Sequence, residues 1–420
     1  MGAETNASKM MPKKPRILFT TSVLRHPATG GPYLRVETSI KALSQISELS
    51  IYCRVPITRS EIEYYQKFCQ KFYSVPSVGI NRQVNRVKRI ANFFGRKVLK
   101  QGIFKEDTEY KNFLQFADAI KPDLIWLSHG QISYPLLKYI KQNSDYKVVC
   151  DTDSVWSRFI LRRLPFAQNE IDIIRIEKEG KEKEEEERWG TQLADITTAV
   201  SEIDADYYHK LAKTPGQIQI FSNVIDLKDY EEIPPKPIAF QKPCIYLAGT
   251  FWLNSPMEEA ARWVIEKVLP GVKKDIPHIH FYIVGSNSDK ILKEINDPSI
   301  TITGLLPSVL PYLCHADVAV VPLKFESGTR FKILEAGACK IPVVSTTLGA
   351  EGIPVTHGVN ILIADDPENF SREIINLISD SEYAKEIGSR LHALIEEKYD
   401  LPTLVKEGRL IIGILKGNTE

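Results

Sequence analysis

The stretch FESGTRFKILEAGACKIPVVS, residues 325–345, holds one complete unit of a layered α/β fold. A turn of small residues (Ser327, Gly328, Thr329) runs into a helical pattern. That pattern stops at Lys340-Ile341-Pro342, and the strand-like Val343-Val344-Ser345 follows. At 100° per residue, Phe331, Leu334 and Ala338 share one face, which predicts the core side. Lys332, Glu335 and Cys339 form an adjacent stripe, in line with Gly328. Arg330 projects from the opposite flank. Ser327 suits a helix N-cap, and Gly328 allows a ligand to approach the main chain. The N-terminus of a helix that follows a strand attracts anions, and Lys332 adds a point charge there. Glu335, a turn deeper, is placed to accept hydrogen bonds from hydroxyls. Anion at the mouth and hydroxyls alongside describe a nucleotide. The same spacing also suits a plain i,i+3 Lys332–Glu335 pair on a solvated helix, with Ser327 as an ordinary cap.

Similar units fill the chain on both sides. Strand patterns occur at 16–20, 49–52, 124–128, 148–150 and 196–200, then at 245–248, 280–284, 318–321 and 343–345. Several are apolar on both faces, as a parallel sheet covered by helices requires. Glycine-bearing turns follow the strands of the second set: LAGTFWLNSP (247–256), IVGSNSD (283–289), TGLLP (303–307) and STTLGAEG (345–352). In open α/β sheets that edge binds ligands. Residues 222–243 are proline-bearing, polar and aperiodic, which marks a linker. The chain therefore divides into a disordered tail (1–15), a Rossmann-like domain (16–225), a linker (226–243) and a second Rossmann-like domain (244–385). Closing helices (386–420) are expected to cross back to the first domain. The charge-rich helix at 170–190 reads as a solvated face held by ion pairs, without chemistry.

A length of 420 residues suits two domains, with 43% hydrophobic and 25% charged residues. A net charge of +1 gives no case for nucleic acid. Cys53, Cys69, Cys150, Cys244, Cys314 and Cys339 are scattered, so neither a zinc site nor a disulfide framework is expected. The N-terminus lacks an apolar signal region, and no run of about 18 apolar residues exists. A cytoplasmic protein is the expectation.

The blocks LAGTFW, IVG, TGLLPSVLPYLCHADVAVVPL, SGTRFKILEAGACKIPVVSTTLGAEGI and NILIADDPENF occur in one order over roughly 243–380. That order resembles the second domain of nucleotide-sugar glycosyltransferases of the two-Rossmann-domain (GT-B) type, family 4 in particular. The resemblance implies two α/β Rossmann-like domains facing each other across a deep cleft. It implies that Glu335 holds the ribose of a nucleoside diphosphate sugar. Ser327, Gly328, Thr329 and Lys332 would lie near the diphosphate and donor sugar, with Arg330 ranked below them. Gly249 would contact the nucleotide sugar, and the backbone at Leu305 would meet the base. Two features depart from the family. Its first glutamate would fall at Ser327, whereas Glu326 stands one residue earlier. Its usual Arg and Lys pair is missing from GTFWLNSPMEE, so charge neutralisation falls on Lys332, Arg330 and helix dipoles.

The resemblance continues more weakly in the first half. Gly30-Gly31 follows the first strand and opens a helix from about Pro32, a turn that in the family faces the donor phosphates. His129 ends the strand LIWLS and is placed to donate to a phosphate or sugar hydroxyl. Asp151 and Asp153 form a DxD pattern, which elsewhere carries a metal. The two-domain type works without one, so no metal or other cofactor is expected. Asp153 is kept as an acceptor-side residue, with a helix cap as its rival role. Residues 81–105 hold eight Lys/Arg and no Asp/Glu, with apolar residues at helical spacing. A basic amphipathic helix of this kind, taken as 82–105, suits the inner face of an anionic membrane.

The reading is a retaining glycosyltransferase in polysaccharide or glycolipid biosynthesis. His129, Lys332 and Glu326 are its catalytic candidates, and a sugar or lipid-linked molecule its acceptor. The alternatives are a catalytically weak nucleotide-sugar-binding protein and a GT-B-fold sugar-nucleotide epimerase. No GxGxxG follows the first strand, which argues against a nicotinamide enzyme.

Overall fold

The computed structural model describes residues 14–75, 103–212 and 217–417. Seven parallel strands form the first sheet: β1 (Arg16–Thr21), β2 (Glu48–Cys53), β3 (Lys71–Ser74), β4 (Leu124–Ser128), β5 (Val148–Asp151), β6 (Ile196–Ala199) and β7 (Ile218–Ile220). Six form the second: β8 (Cys244–Ala248), β9 (His280–Val284), β10 (Ile300–Ile302), β11 (Val318–Val321), β12 (Val343–Ser345) and β13 (Leu362–Ile363). The spatial orders are β3-β2-β1-β4-β5-β6-β7 and β10-β9-β8-β11-β12-β13. The second runs 3-2-1-4-5-6 and the first adds a seventh strand to that order, the doubly wound arrangement of two Rossmann-like domains. This is the GT-B architecture.

Each order reverses once, between the first and fourth strands of its sheet. The switch points therefore lie between β1 and β4, and between β8 and β11. A crevice opens there at the carboxyl ends of the strands. The loops that border the two crevices are 22–30 and 129–133 in the first domain, and 249–255 and 322–330 in the second. Both cores are apolar on both sheet faces, as buried parallel strands demand.

The helix Leu401–Leu415 crosses to the first domain. It packs on the helix Gly31–Ile46, and Leu404, Val405, Ile411 and Ile412 join that domain's core. Each such burial contributes about 1.5–3 kcal/mol. A division at 385/386 cuts the helix Ser381–Lys398, whose Ile387, Leu391 and Ile395 belong to the second core. The crossing is thus confined to the last helix.

The helix Glu170–Leu193 departs from the expected solvated face. Ile176, Gly180, Glu187, Gly190 and Thr191 are buried. The glycines make this possible: a Cβ at Gly180 would meet Leu161 at 2.4 Å, and one at Gly190 would meet Tyr134 at 2.2 Å. The basic segment 82–105 lies outside the described residues, apart from the backbone of 103–105 in the helix Ile103–Ile120. No helix among the described residues is long and apolar enough to cross a membrane.

Candidate active site

Phe331–Ala338 is the helix predicted from the opening stretch, but it begins later than Ser327. Gly328 takes φ +78°, a left-handed conformation that ends any helical path through the turn. Arg330 occupies the N-cap position, with no side-chain capping bond. Ser327 is therefore not the cap, and Gly328 does not extend the Lys332–Glu335 stripe. The Ser327 hydroxyl instead accepts a hydrogen bond from the Val155 amide of the first domain at 3.2 Å. Space explains the glycine as well: a Cβ at 328 would stand 2.7 Å from the Asp153 carbonyl oxygen and 2.9 Å from Ser154.

The two switch points face each other. Gly30, at φ +90°, opens the helix Gly31–Ile46, and a Cβ there would lie 4.0 Å from the Thr250 hydroxyl of the β8 loop. A Cβ at Gly31 would touch the Phe331 ring at 3.0 Å. The turn after β1 thus abuts the start of the Lys332–Glu335 helix. Thr329 donates to the Val200 carbonyl at 3.3 Å, and Asn223 donates to the Thr329 carbonyl at 3.4 Å.

Charge at this junction is unevenly matched. Arg330 is 4% exposed and gives one nitrogen to the Leu348 carbonyl at 3.3 Å. Its Nε and Nη1 are buried with no hydrogen-bond partner among the described residues. Burial pulls the Arg330 pKa down, opposed by the charges of Glu326, Glu351 and Asp204, and its idle N–H groups leave donors unused. Burial pulls the pKa of Lys332 down against the pull of Glu326. No ion pair joins Lys332 and Glu335 among the described residues, so the simple i,i+3 alternative is not what forms. Burial also pushes the Glu335 carboxyl up to about 7, opposed by Lys332 and by the Tyr230 hydrogen bond. The Tyr230 hydroxyl donates to Glu335 at 3.3 Å.

His129 ends β4 in a left-handed conformation, φ 50°. It is buried, with Nε2 3.4 Å from an Asp153 carboxylate oxygen. Burial raises the Asp153 carboxyl, but the neighbouring His129 and Arg35 outweigh it and leave the pKa lowered. Gln131 donates to Asp153, and Lys183 donates to the Gln131 carbonyl. Asp153 is therefore a partner of His129 rather than a helix cap. Asp151 is committed elsewhere, accepting from Arg35 at 2.5 Å and Thr198 at 2.8 Å.

Leu305 sits apart from this cluster, whereas the Glu326 charge reaches Lys332 and Arg330. The Glu326 carboxylate accepts from the Ser327 amide at 3.1 Å, and its carbonyl accepts from Arg162 at 2.6 Å. Leu305 is 60% exposed on the loop after β10, and Gly249 lies under Met257 at the end of β8. Arg162 also binds both oxygens of Glu351 at 2.7 Å, and Arg158 reaches Glu351 at 3.1 Å. These bonds clasp the first domain's helix Trp156–Leu161 and the turn after it to the loops after β11 and β12. Sequence reasoning missed Tyr230, Arg158, Arg162, Lys183, Gln131 and Glu351. The aromatic in the linker and the glycines among the charges of 170–193 were the available signals.

Residues 242–380 match the family described as glycosyl transferases group 1. The match spans most of the second domain. Its site helix, Phe331–Ala338, lies within the matched range. Two curated relatives align in part. One is an uncharacterised 44.6 kDa protein in the cps region of Klebsiella pneumoniae, 28% identical over 147 residues, 33% of this chain and 38% of that protein. The other is the N-acetyl-alpha-D-glucosaminyl L-malate synthase of Bacillus anthracis, 22% identical over 241 residues, 52% of this chain and 60% of that protein. The matches thus span less than two thirds of either relative. Among solved structures, the sucrose-phosphate synthase of Thermosynechococcus elongatus superposes with a TM-score of 0.69 at 16% identity, covering 97% of this chain and 100% of that one. Anabaena Alr3699/HepE in complex with UDP and glucose gives 0.66 at 13% identity, covering 95% and 99%. At these identities the likeness is one of fold, and it covers both domains.

Proposed function

We propose that this chain transfers a sugar from a nucleoside diphosphate sugar to an acceptor hydroxyl, with retention at the anomeric carbon. The observation that carries the reading is the buried Arg330 guanidinium with two idle nitrogens, beside Lys332 and one turn before the proton-hungry Glu335. Two cations and a carboxylate at a helix mouth match a diphosphate followed by a ribose. Support comes from the group 1 match and from the Anabaena structure, whose ligands are UDP and glucose.

In this reading Glu335 accepts hydrogen bonds from the ribose hydroxyls, and the backbone near Leu305 meets the base. Arg330, Lys332 and the helix start hold the diphosphate. His129, set by Asp153, donates to the donor sugar from the opposite domain. The acceptor oxygen forms its bond to the anomeric carbon on the face that the diphosphate leaves. The bond from that carbon to the phosphate oxygen breaks, and the acceptor proton passes to the departing phosphate. Charge stabilisation and positioning supply the rate, and the route calls on no metal or cofactor. The Arg162–Glu351 clasp closes the cleft and keeps water out. Polysaccharide or glycolipid assembly is the proposed setting, with a sugar or lipid-linked acceptor on the first domain and cytoplasmic work at or near a membrane.

The test is a thermal-shift screen of UDP-, GDP-, ADP- and dTDP-sugars, followed by turnover with and without candidate acceptors. Binding of one donor and acceptor-dependent release of its nucleoside diphosphate are expected. If Glu335→Ala left binding and transfer intact, the site assignment would be wrong.

A further inference from the structure

Cys339 follows the site helix directly. Its amide donates to the Glu335 carbonyl at 3.1 Å, which closes the last turn. Cys314 follows the short helix Leu310–Leu313, downstream of the Leu305 turn. The two thiols are 3.4 Å apart, and both residues are partly exposed. Of the other four cysteines, Cys53, Cys150 and Cys244 are buried and Cys69 is half-buried. Each is free.

We propose that Cys314 and Cys339 form an oxidisable dithiol site whose closure as a disulfide alters the helix that carries Lys332 and Glu335. The chemistry is balanced with a small disulfide such as oxidised glutathione. The Cys314 thiolate attacks one sulfur of that disulfide, whose S–S bond breaks and releases one glutathione thiolate. Cys339 then attacks the Cys314 sulfur of the mixed disulfide and releases the second. Two protein thiols lose two protons and two electrons, and one oxidised glutathione becomes two reduced ones. The pair is suited to this order. The hydrogen bond between the two thiols draws the Cys314 pKa down, whereas that bond and burial push Cys339 up. Cys314 is the attacking thiol, because the thiolate is the nucleophile.

The mechanical consequence follows from distance. A disulfide needs about 2.05 Å between sulfurs, so the pair must close by roughly 1.4 Å. Cys339 lies one helical turn from Glu335, and that carboxylate holds Tyr230. Drawing Cys339 toward Cys314 therefore displaces the carboxyl end of the helix and ties it to the segment that follows the Leu305 turn. This consequence for a nucleotide rests on the proposed function; the dithiol itself does not.

The experiment uses the full chain, reduced and then treated with oxidised glutathione. Peptide mass mapping without reductant reads the crosslink, and hydrogen exchange without ligand reads residues 325–340. The expected result is a 314–339 linked peptide, two hydrogens lighter, in most of the protein. Amide exchange over 325–340 should change at least threefold and return with dithiothreitol. Cys314→Ser and Cys339→Ser should each abolish both effects. Absence of the linked peptide, or a crosslink with exchange changed less than threefold, overturns the proposal. A donor-binding arm is kept separate: failure to bind any nucleoside diphosphate sugar in the reduced state counts against the proposed function alone.

Discussion

Glu335 gives the sharpest test of the nucleoside reading, because its proton is linked to both stability and binding. Burial lifts its carboxyl from 4.5 to about 7. Each unit corresponds to about 1.36 kcal/mol, so the displaced equilibrium amounts to about 3 kcal/mol. The folded state holds this proton more tightly than the unfolded chain does. The stabilising protonated form is fully present below pH 4.5, is lost as pH rises to about 7, and makes no further difference above that. Glu335→Gln removes the buried charge. The variant should exceed the wild type in stability by up to about 3 kcal/mol above pH 7, with the difference vanishing near pH 4.5. Binding runs the other way. Ribose hydroxyls donate to the charged carboxylate, so a bound donor lowers this pKa. If binding returns it toward its ordinary value, affinity should be about tenfold weaker at pH 6 than at pH 8. The diphosphate of a nucleotide sugar carries no proton that titrates in this window, so the slope belongs to the protein. Calorimetric titration at pH 6, 7 and 8, with thermal melts of both forms, provides the measurement. Glu335→Gln should bind more weakly throughout and without the slope. A wild-type affinity constant across this range, together with a variant that melts lower at pH 8, would refute the reasoning.

Three further outcomes follow from the interdomain contacts. Gly328→Ala meets a left-handed backbone and the Asp153 carbonyl at 2.7 Å, so it should lower stability by about 1–2 kcal/mol and transfer at least tenfold; melts and initial rates check both. Arg162→Ala removes three bonds across the seam. Its pair is partly exposed, so stability should fall by only about 1 kcal/mol, whereas small-angle scattering should show a more open molecule and acceptor KM should rise. His129→Ala should cut kcat at least tenfold and leave nucleoside diphosphate affinity within twofold, since Glu335 and Arg330 stay in place; a matching loss of affinity would move His129 out of its assigned role.

The second domain was legible because its signals are local. Val318–Val321 and Val343–Ser345 are apolar on both faces, and glycine turns punctuate them. Phe331, Leu334 and Ala338 announce a buried helix face. The start of that helix was misread because the choice between cap and loop at Ser327 is made by tertiary contact. Asp153 and Ser154 approach from another domain, and no pattern near 327 encodes them. The same holds for Tyr230: a linker looks aperiodic whether or not one of its aromatics reaches a carboxylate. In the helix Glu170–Leu193 the charges obscured the buried stripe. Gly180, Lys183, Glu187 and Gly190 recur at three- and four-residue spacing, and that recurrence was the readable sign. Glu187 uses its buried place to accept from the Trp156 and Ser157 amides at 2.8 and 3.2 Å. A helix rich in solvated charge thereby also supports the start of the helix that clasps the second domain.

The displaced glutamate can be understood in the same terms. Glu326 spends its carboxylate on the Ser327 amide and its carbonyl on Arg162, while Glu351 takes the rest of that guanidinium. It therefore joins the turn to the clasp. The charges of Arg162 and Arg158 are spent across the seam in this way. Among the described residues, Arg330 keeps two nitrogens without a hydrogen-bond partner. The absence of a cation from GTFWLNSPMEE then has a compensating counterpart. In the proposed function the buried guanidinium at the head of Phe331–Ala338 would supply positive charge there, shared with the carboxylates of Glu326, Glu351 and Asp204. In the proposed function Arg330 would therefore stand with Lys332 at the diphosphate, above the place that helical projection alone assigns it.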